Sequence, residues 1–291
     1  MSELYDQISK NKMKSYLYIG FFLLLIFALT YVFGLMTGLG EFISIFAIII
    51  AVVMTVGTYY YSDKIVLATV NAKPAERKDY LFLYNTVEGL SIAAGIPMPR
   101  LYVIEDEAIN AFATGRDPKN ALICVNTGTL KKLNRQELEG VIAHEMSHIK
   151  NFDIRMMMLA AVMVGAIAII AHMMIRMGFR GSGDRGKGGG AIIVIGLMLA
   201  ILAPIFAKLV QLAISRRREY LADASGALLT RYPEGLAAAL EKIKNDKAPN
   251  KEISEAVAPL YISNPINKRI IGNWFSTHPP LEERIAILRK M

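Results

Sequence analysis

The stretch Gly140-Val-Ile-Ala-His-Glu-Met-Ser-His-Ile149 contains the pattern H-E-x-x-H, formed by His144, Glu145 and His148. Residues four apart share one face of a helix, so the two imidazoles can hold the same metal ion while Glu145 leans toward its open side. Apolar residues around the motif give this helix a buried side, and Asn134 is a suitable N-cap. The layout is typical of zinc with an activated water.

The composition indicates a membrane protein. Of 291 residues, 54% are hydrophobic, and the mean hydropathy is +0.36. The formal net charge is +8, but no nucleic-acid motif accompanies it, and the basic residues border apolar segments. Such charges suit membrane anchoring, so we expect the lipid bilayer as a partner and no nucleic acid.

Four apolar runs are long enough to cross about 30 Å of hydrocarbon as helices. We expect them to form two hairpins, with tyrosines at the ends of the first hairpin in the interfacial belt. The first run lacks a small-residue cleavage site, which favours a retained signal anchor over a signal peptide. The runs are Tyr16 to Met36, Phe42 to Tyr61, Met156 to Arg176 and Ala191 to Ile214.

The distribution of basic residues gives two signals for orientation. Lysines at 10, 12 and 14, against none in the turn at 37–41, place the N-terminus and the catalytic part in the cytoplasm. The glycine-rich loop 178–190 would then be external, although it carries Arg180, Arg185 and Lys187. The first signal usually dominates. A second hairpin that enters the membrane without spanning it remains an alternative.

Residues 62–155 are polar and globular in character. A helix is expected over Asp79 to Ala94, because Gly95 and Pro97 follow it. Short strands are expected over 101–104, 111–114 and 121–125, where apolar runs alternate with turn residues. A small sheet therefore leads into the metal helix, and an edge strand of such a sheet can pair with an extended peptide.

A catalytic zinc site needs a third protein ligand and a water in the fourth position. Asp153 follows the metal helix too closely to reach around the ion, and His172 lies far into an apolar run, where anchoring beside Arg176 is the favoured reading. Glu219 and Asp223 share a helical face, so one can bind metal while the other orients an imidazole. A transmembrane hairpin would return them near the motif. His278 remains a further candidate.

Several segments together resemble the HtpX membrane metalloproteases, which are relatives of the eukaryotic CAAX prenyl proteases. They are H-E-x-x-H at 144–148, E-x-x-x-D at 219–223, Asn110-Ala-Phe112 and Thr277-His-Pro-Pro280. The resemblance covers nearly the whole chain. It implies one Zn²⁺ per chain on His144, His148 and Glu219, with Glu145 as general base, which leaves Asp223 as the residue that orients an imidazole. It also implies a substrate-strand role for Asn110, and a transition-state or cleft role for His278 and Arg284.

The expected fold is a mainly α membrane protein with two transmembrane hairpins and an α+β zincin-like (gluzincin) catalytic domain on either side of the second hairpin. The expected division is a cytoplasmic tail at 1–15, a first hairpin at 16–61, catalytic parts at 62–155 and 215–291, and a second hairpin at 156–214.

The expected function is zinc-dependent endopeptidase quality control of membrane or misfolded proteins under stress. The expected location is the plasma (inner) membrane of a prokaryote, with the catalytic domain in the cytoplasm. A prenyl-protein (CAAX-type) protease is disfavoured, because four spans build no large lipid chamber. A membrane chaperone or scaffold with a structural metal is disfavoured by Glu145 and by a set of only three protein ligands.

Overall fold

A computed structural model describes residues 40–158, 216–248, 257–263 and 278–291, with isolated positions in 13–27 and 194–198. Its helices are α1 (Gly40–Thr69), α2 (Leu81–Ala94), α3 (Thr127–Lys132), α4 (Arg135–Lys150), α5 (Arg216–Thr230), α6 (Pro233–Asn245) and α7 (Leu281–Leu288). Its strands are β1 (Lys73–Pro74), β2 (Arg100–Ile104), β3 (Ala111–Gly115) and β4 (Ala121–Asn126). Short 3₁₀ turns span Pro118–Asn120 and Ala258–Leu260.

The four strands form one mixed sheet in the order β1-β2-β4-β3. β2 runs parallel to β4, whereas β3 pairs antiparallel with β4 and lies at the edge. All three strands expected from the sequence are therefore present. The helix expected from Asp79 begins two residues later, at Leu81, and ends as expected where Gly95 adopts the left-handed conformation that glycine tolerates best.

The sheet has a different apolar layer on each face. Alternate strand residues, such as Ile123 on one face and Phe112 on the other, belong to two separate clusters. The larger cluster joins the sheet to α2, α4, α6 and α7, and so contains the buried side of the metal helix. The smaller one joins it to Val66 of α1, to Met157 and to the segment around Tyr261. Helix α4, with its neighbours α2, α6 and α7, and helix α1 therefore lie on opposite faces of the sheet.

Helix α4 begins as the sequence predicts. Asn134 accepts a hydrogen bond from the N–H of Glu137 at 3.0 Å, and the Glu137 carboxylate accepts one from the N–H of Asn134 at 2.7 Å. This reciprocal capping box satisfies two donors that a helix start leaves without intrahelical partners. It fixes where the helix begins and hence the direction in which His144 and His148 point.

Glycines let two helices approach α4 closely. A Cβ on Gly226 of α5 would lie 3.0 Å from the backbone N of His144, and one on Gly140 of α4 would lie 2.6 Å from the N of Leu236 in α6. Any side chain at these positions would separate the helices. The small residues therefore bring α5, with Glu219 and Asp223, against the helix that carries the H-E-x-x-H motif.

The expected membrane hairpins fall mainly outside the described residues. The run from Phe42 to Tyr61 lies within α1, whereas the other three runs are described only at isolated positions and at Met156–Met158. Within the described ranges, no helix meets the combined length and hydropathy needed to span a bilayer.

Candidate metal centre

Three side chains on two helices bring their ligand atoms to one point. His144 Nε2 and His148 Nε2 lie 3.2 Å apart, His148 Nε2 lies 3.5 Å from Glu219 Oε1, and His144 Nε2 lies 3.7 Å from Glu219 Oε2. Ligands on a tetrahedral zinc ion, with bonds of about 2.0–2.1 Å, are separated by roughly 3.3 Å. The three groups are thus spaced as one tetrahedral ion requires.

The chemistry of these atoms also fits a cation. His144 Nδ1 lies 2.9 Å from Asp223 and His148 Nδ1 lies 3.1 Å from Asp153, so each imidazole carries its proton on Nδ1 and presents a lone pair on Nε2. Both Glu219 oxygens are buried and accept no hydrogen bond from the described part of the chain. Two imidazole nitrogens and a buried carboxylate thus converge, with Arg284 Nη1 3.6 Å from Glu219 Oε2, and a cation bound between them would stabilise this arrangement.

Asp223 and Arg284 form a rigid pair behind His144. The guanidinium donates to both carboxylate oxygens, from Nε at 2.8 Å and from Nη2 at 2.7 Å, and neither side chain reaches solvent. The pKa of Asp223 lies well below its usual range, because the charge and hydrogen bonds of Arg284 and His144 outweigh burial, which would raise it. Arg284 thus holds Asp223 ionised and fixes the carboxylate that orients His144.

Asp153 and Arg218 form a corresponding pair behind His148. Asp153 Oδ1 lies 3.5 Å from Arg218 Nη1, while its Oδ2 faces the imidazole. The sequence sets Asp153 aside as a ligand and, because the arginines at 216–218 follow an apolar run, it favours lipid headgroups as their environment. It missed this pair because the chain reverses at Phe152, whose φ of 59° is left-handed. A bulky residue rarely adopts that conformation, so no sequence signal marks the turn.

Glu145 is held beside the histidines by the edge strand. Its Oε2 accepts a hydrogen bond from the backbone N–H of Ala113 in β3 at 2.8 Å. Burial raises the pKa of the carboxyl to about 8 although His148 and the Ala113 N–H act in the opposite direction. A carboxyl group with this pKa can take up and release a proton near neutral pH.

The electrostatic field of the site favours positive charge at its centre. Burial alone would lower the pKa of His148, but Asp153, Glu219 and Glu145 raise it to about 9. The nearby carboxylates number four, since Asp223 joins these three, and the guanidinium groups beside them belong to Arg284 and Arg218. Acidic side chains therefore outnumber the guanidinium groups around the three ligand atoms, which favours a bound cation.

The structure also locates the remaining residues that the sequence singled out. His278 Nε2 lies 3.6 Å from Glu219 Oε2, and its pKa falls to about 4, chiefly through burial, so the imidazole is neutral at pH 7. Asn110 is buried, and its amide donates to Ser263 O at 2.8 Å. His278 is therefore part of the cluster, whereas Asn110 ties the segment 261–263 to the start of β3.

Comparison with known proteins identifies the family of this chain. The model of peptidase family M48 matches residues 81–291. A protein named protease HtpX homolog from Dictyoglomus turgidum is 46% identical over 287 residues, covering 99% of this chain and 94% of the relative. One from Thermoanaerobacter pseudethanolicus is 45% identical and covers 99% of this chain and 98% of the relative. These names favour neither the prenyl-protease nor the scaffold alternative.

A solved structure shares the fold. The crystal structure of Ste24p from S. mikatae superposes with a TM-score of 0.51 over 99% of this chain and 67% of that chain, at 20% sequence identity. At this identity the likeness concerns the fold alone. Together with the family match and the geometry of His144, His148 and Glu219, it leads to one conclusion: the chain belongs to peptidase family M48 and is a zinc-dependent metalloprotease.

Proposed function

We propose that the chain is a membrane endopeptidase in which His144, His148 and Glu219 hold the zinc ion. The observation that carries this assignment is the convergence of two imidazole lone pairs and a buried carboxylate that accepts no hydrogen bond from the described residues. A zinc ion bound there would polarise the scissile carbonyl and lower the pKa of a water molecule to about 7. Asp223 and Asp153 keep the imidazoles in the tautomer that presents Nε2.

Glu145 acts as the general base. Its Oε2 is occupied by the Ala113 N–H, so Oε1 takes the proton of the attacking water and later returns it to the leaving amine. His278 is neutral and lies beside Glu219, where its imidazole can donate a hydrogen bond to the carbonyl oxygen as negative charge develops. Because no covalent enzyme intermediate forms, no nucleophilic side chain is required.

Arg284 and Asn110 support the site and do not contact the scissile bond in this proposal. Arg284 is fully buried; it donates to Asp223 and to the carbonyl of Ile262, and its Nη1 lies 3.6 Å from Glu219 Oε2. Asn110 holds the segment around Ser263, whose neighbour Ile262 donates to the carbonyl of Ala111 at 2.9 Å. Both therefore position other groups. This differs from the substrate-binding roles that the family resemblance implies for them.

The edge of β3 is where an extended substrate would pair. On the side away from β4, the carbonyl of Ala111 is bound by Ile262 and the N–H of Ala113 by Glu145. In an antiparallel strand the C=O and N–H of one residue point to the same side, so the carbonyl of Ala113 also points there. A peptide N–H that binds this carbonyl would lie beside Glu145 and the metal ligands.

The expected substrates are membrane or misfolded proteins, cut in the cytoplasm at the inner membrane of a prokaryote. The support is the apolar character of the chain and its likeness to proteins named protease HtpX homolog. The lysines before the first apolar run favour the cytoplasmic orientation.

The decisive experiment measures metal and cleavage on the same sample. Detergent-purified protein should contain about one zinc per chain, cleave casein, lose both with a chelator and regain both when zinc is restored. Zinc without cleavage would contradict the proposal and favour a scaffold with a structural metal.

A further inference from the structure

Helix α1 changes character along its length. Among the side chains of α1 whose exposure the structure describes, the exposed ones up to Val56 are apolar, and the exposed Tyr60, Tyr61 and Lys64 follow, with Asp63 beside them. The exposed apolar residues before Tyr60 are Ile45, Ile49, Val52, Val53 and Val56. Apolar side chains followed by tyrosines and then charges mark the place where a helix leaves lipid for water. This order of residues marks Tyr60 as the level at which the expected first hairpin would leave lipid.

The turn between β3 and β4 lies at the same level. The guanidinium of Arg116 sits over the ring of Tyr60, 5.1 Å from its centroid, and donates to Asn120 at 3.0 Å. Asp117 is 3.7 Å from Arg116 Nε and uses its carboxylate to accept hydrogen bonds from the N–H and the side-chain amide of Asn120. Arg116 therefore keeps a partly exposed positive charge where the headgroups would be.

A second arginine reaches this turn from another element. Arg155 Nε donates to the carbonyl of Arg116 at 2.6 Å, and no carboxylate in the described ranges forms an ion pair with Arg155. In the sequence, Arg155 directly precedes the apolar run that starts at Met156. Arg116 thus contacts both markers of the expected lipid boundary. One marker is Tyr60 of α1, and the other is Arg155, which stands at the start of the apolar run from Met156.

We propose that Arg116 and Arg155 form a binding surface for the phosphates of anionic lipid headgroups, and that this contact activates the protease. The activation part rests on the proposed function; the lipid contact does not. Arg116 lies three residues after Ala113, whose N–H holds Glu145, and Arg155 lies two residues after Asp153, which holds His148. Headgroups bound to both arginines would therefore restrict the motion of Glu145 on one side of the metal centre and of His148 on the other.

The lipid contact can be tested without any measurement of activity. A spin label on Lys119→Cys, in a Cys124→Ser background, reports from an exposed position in the turn, and Lys131→Cys serves as control. Lys131 is in α3, which follows the far end of β4, about 16–20 Å away at roughly 3.3 Å per residue. In nanodiscs containing phosphatidylglycerol, the collision rates of each label with oxygen and with a polar nickel complex report its depth. The label at 119 should lie in the headgroup layer and the label at 131 in water. Two labels equally exposed to water would overturn the proposal.

The activating effect is measured as a ratio of initial cleavage rates. For wild type, nanodiscs of phosphatidylcholine with added phosphatidylglycerol should give a several-fold higher rate than phosphatidylcholine alone, since each basic residue changes headgroup affinity about fivefold. Arg116→Gln/Arg155→Gln should bring the ratio close to one. The matched control Lys131→Gln/Arg135→Gln removes two exposed charges elsewhere and should keep the wild-type ratio.

Free phosphate is the alternative source of the same chemistry. Inorganic phosphate added to phosphatidylcholine nanodiscs should not raise the rate, because the proposed ligand is a surface of headgroups next to α1. A double variant that still responds fully to phosphatidylglycerol, or a wild type that responds equally to free phosphate, would refute activation through this surface. Absence of cleavage in every sample would refute the protease assignment, and the spin-label depths would still decide the lipid contact.

Discussion

Asp153 Oδ1 and Arg218 Nη1 lie 3.5 Å apart, which joins the end of the metal helix to the residue before Glu219. Behind His144, Asp223 and Arg284 make the corresponding connection. Each histidine of the centre thus has its own aspartate, and each aspartate its own arginine. Such partners fix the imidazole tautomer and ring direction, so they should control metal affinity without touching the metal.

Asp153→Asn should lower zinc affinity by about 10- to 100-fold, because the amide cannot hold the Nδ1 proton of His148 as a carboxylate does. The measurement is zinc retention in a series of chelator-buffered solutions. Glu107→Gln is the control, since it removes an exposed carboxylate that pairs with Lys131. An Asp153→Asn protein that binds zinc as tightly as the Glu107→Gln protein would remove Asp153 from the site.

The sequence predicts the features of this molecule that are local. H-E-x-x-H, the cap at Asn134 and the three strands all follow from spacing and residue type, and the structure contains them. The sequence does not predict contacts that depend on the direction the chain takes after a turn. Asp153 was set aside as a metal ligand because it follows the metal helix too closely to reach around the ion. Its role as the partner of His148 Nδ1 depends on the left-handed Phe152, which the sequence does not indicate.

The same limit applies to the arginines that precede Glu219. A basic cluster after an apolar run is typical of a contact with lipid headgroups. Nothing in the sequence around Arg218 distinguishes it from Arg216 and Arg217. Only packing of α5 against α4 brings Arg218 to Asp153 and to Met156, whose sulfur lies 3.6 Å from the guanidinium. Gly226 makes that packing possible, although an isolated glycine in a helix gives no indication of what it faces.

Glu145→Gln should keep its zinc and lose at least about a hundredfold in cleavage rate, because the amide cannot accept a proton from water while the ligands are unchanged. The Ala113 N–H can still donate to the amide oxygen, so the local structure should persist. Zinc content and casein cleavage on one preparation check this. Full activity in a metal-replete sample would exclude Glu145 as the base.

Glu219→Ala and Asp223→Ala should separate ligation from orientation. Glu219→Ala removes an atom 3.5 Å from His148 Nε2, so zinc and activity should be lost together. Asp223→Ala leaves the three proposed ligands in place, and a loss of about 10- to 100-fold in affinity should be partly restored by added zinc. The reverse order would exchange their roles. Zinc loss in His278→Ala alone would move the third ligand to His278.

Asp246 should make stability depend on pH in the acid range. Burial would raise its pKa, but hydrogen bonds from Lys132 and from the N–H groups of Ile109 and Ala248 outweigh that effect and lower it. A lowered folded pKa stabilises the protein above the unfolded value of about 3.9, and that contribution is lost as pH falls through the folded pKa.

The substitution Asp246→Asn should therefore lower Tm at pH 7, and the difference from wild type should shrink as the pH is brought below about 4. Thermal unfolding followed by circular dichroism at both pH values measures this. The exposed Asp79→Asn serves as control, with little change expected at either pH. If Asp246→Asn lowered Tm as much in acid as at neutral pH, the loss would come from altered packing or hydrogen bonding and not from the charge of Asp246.

Gly226→Ala tests whether the close approach of α5 to α4 is required for the metal centre. The added Cβ would lie 3.0 Å from His144 N and 3.2 Å from the carbonyl carbon of Ala143, both of which belong to a helix backbone that cannot rotate aside. Such overpacking typically costs about 1–3 kcal/mol, and for a chain of this size Tm falls by roughly 2–4 °C per kcal/mol. Separation of the helices would also draw Glu219 away from the histidines, so zinc affinity should fall as well.

Gly89→Ala is the matched control, because Gly89 also lies within a helix but a Cβ there meets nothing within 4 Å. Alanine favours a helix interior over glycine by about 0.5–1 kcal/mol, so this variant should be slightly more stable and should bind zinc as wild type does. Tm and chelator-competed zinc binding are measured for both proteins. If Gly226→Ala matched Gly89→Ala in both measurements, the spacing of α4 and α5 would not be what brings Glu219 to His144 and His148.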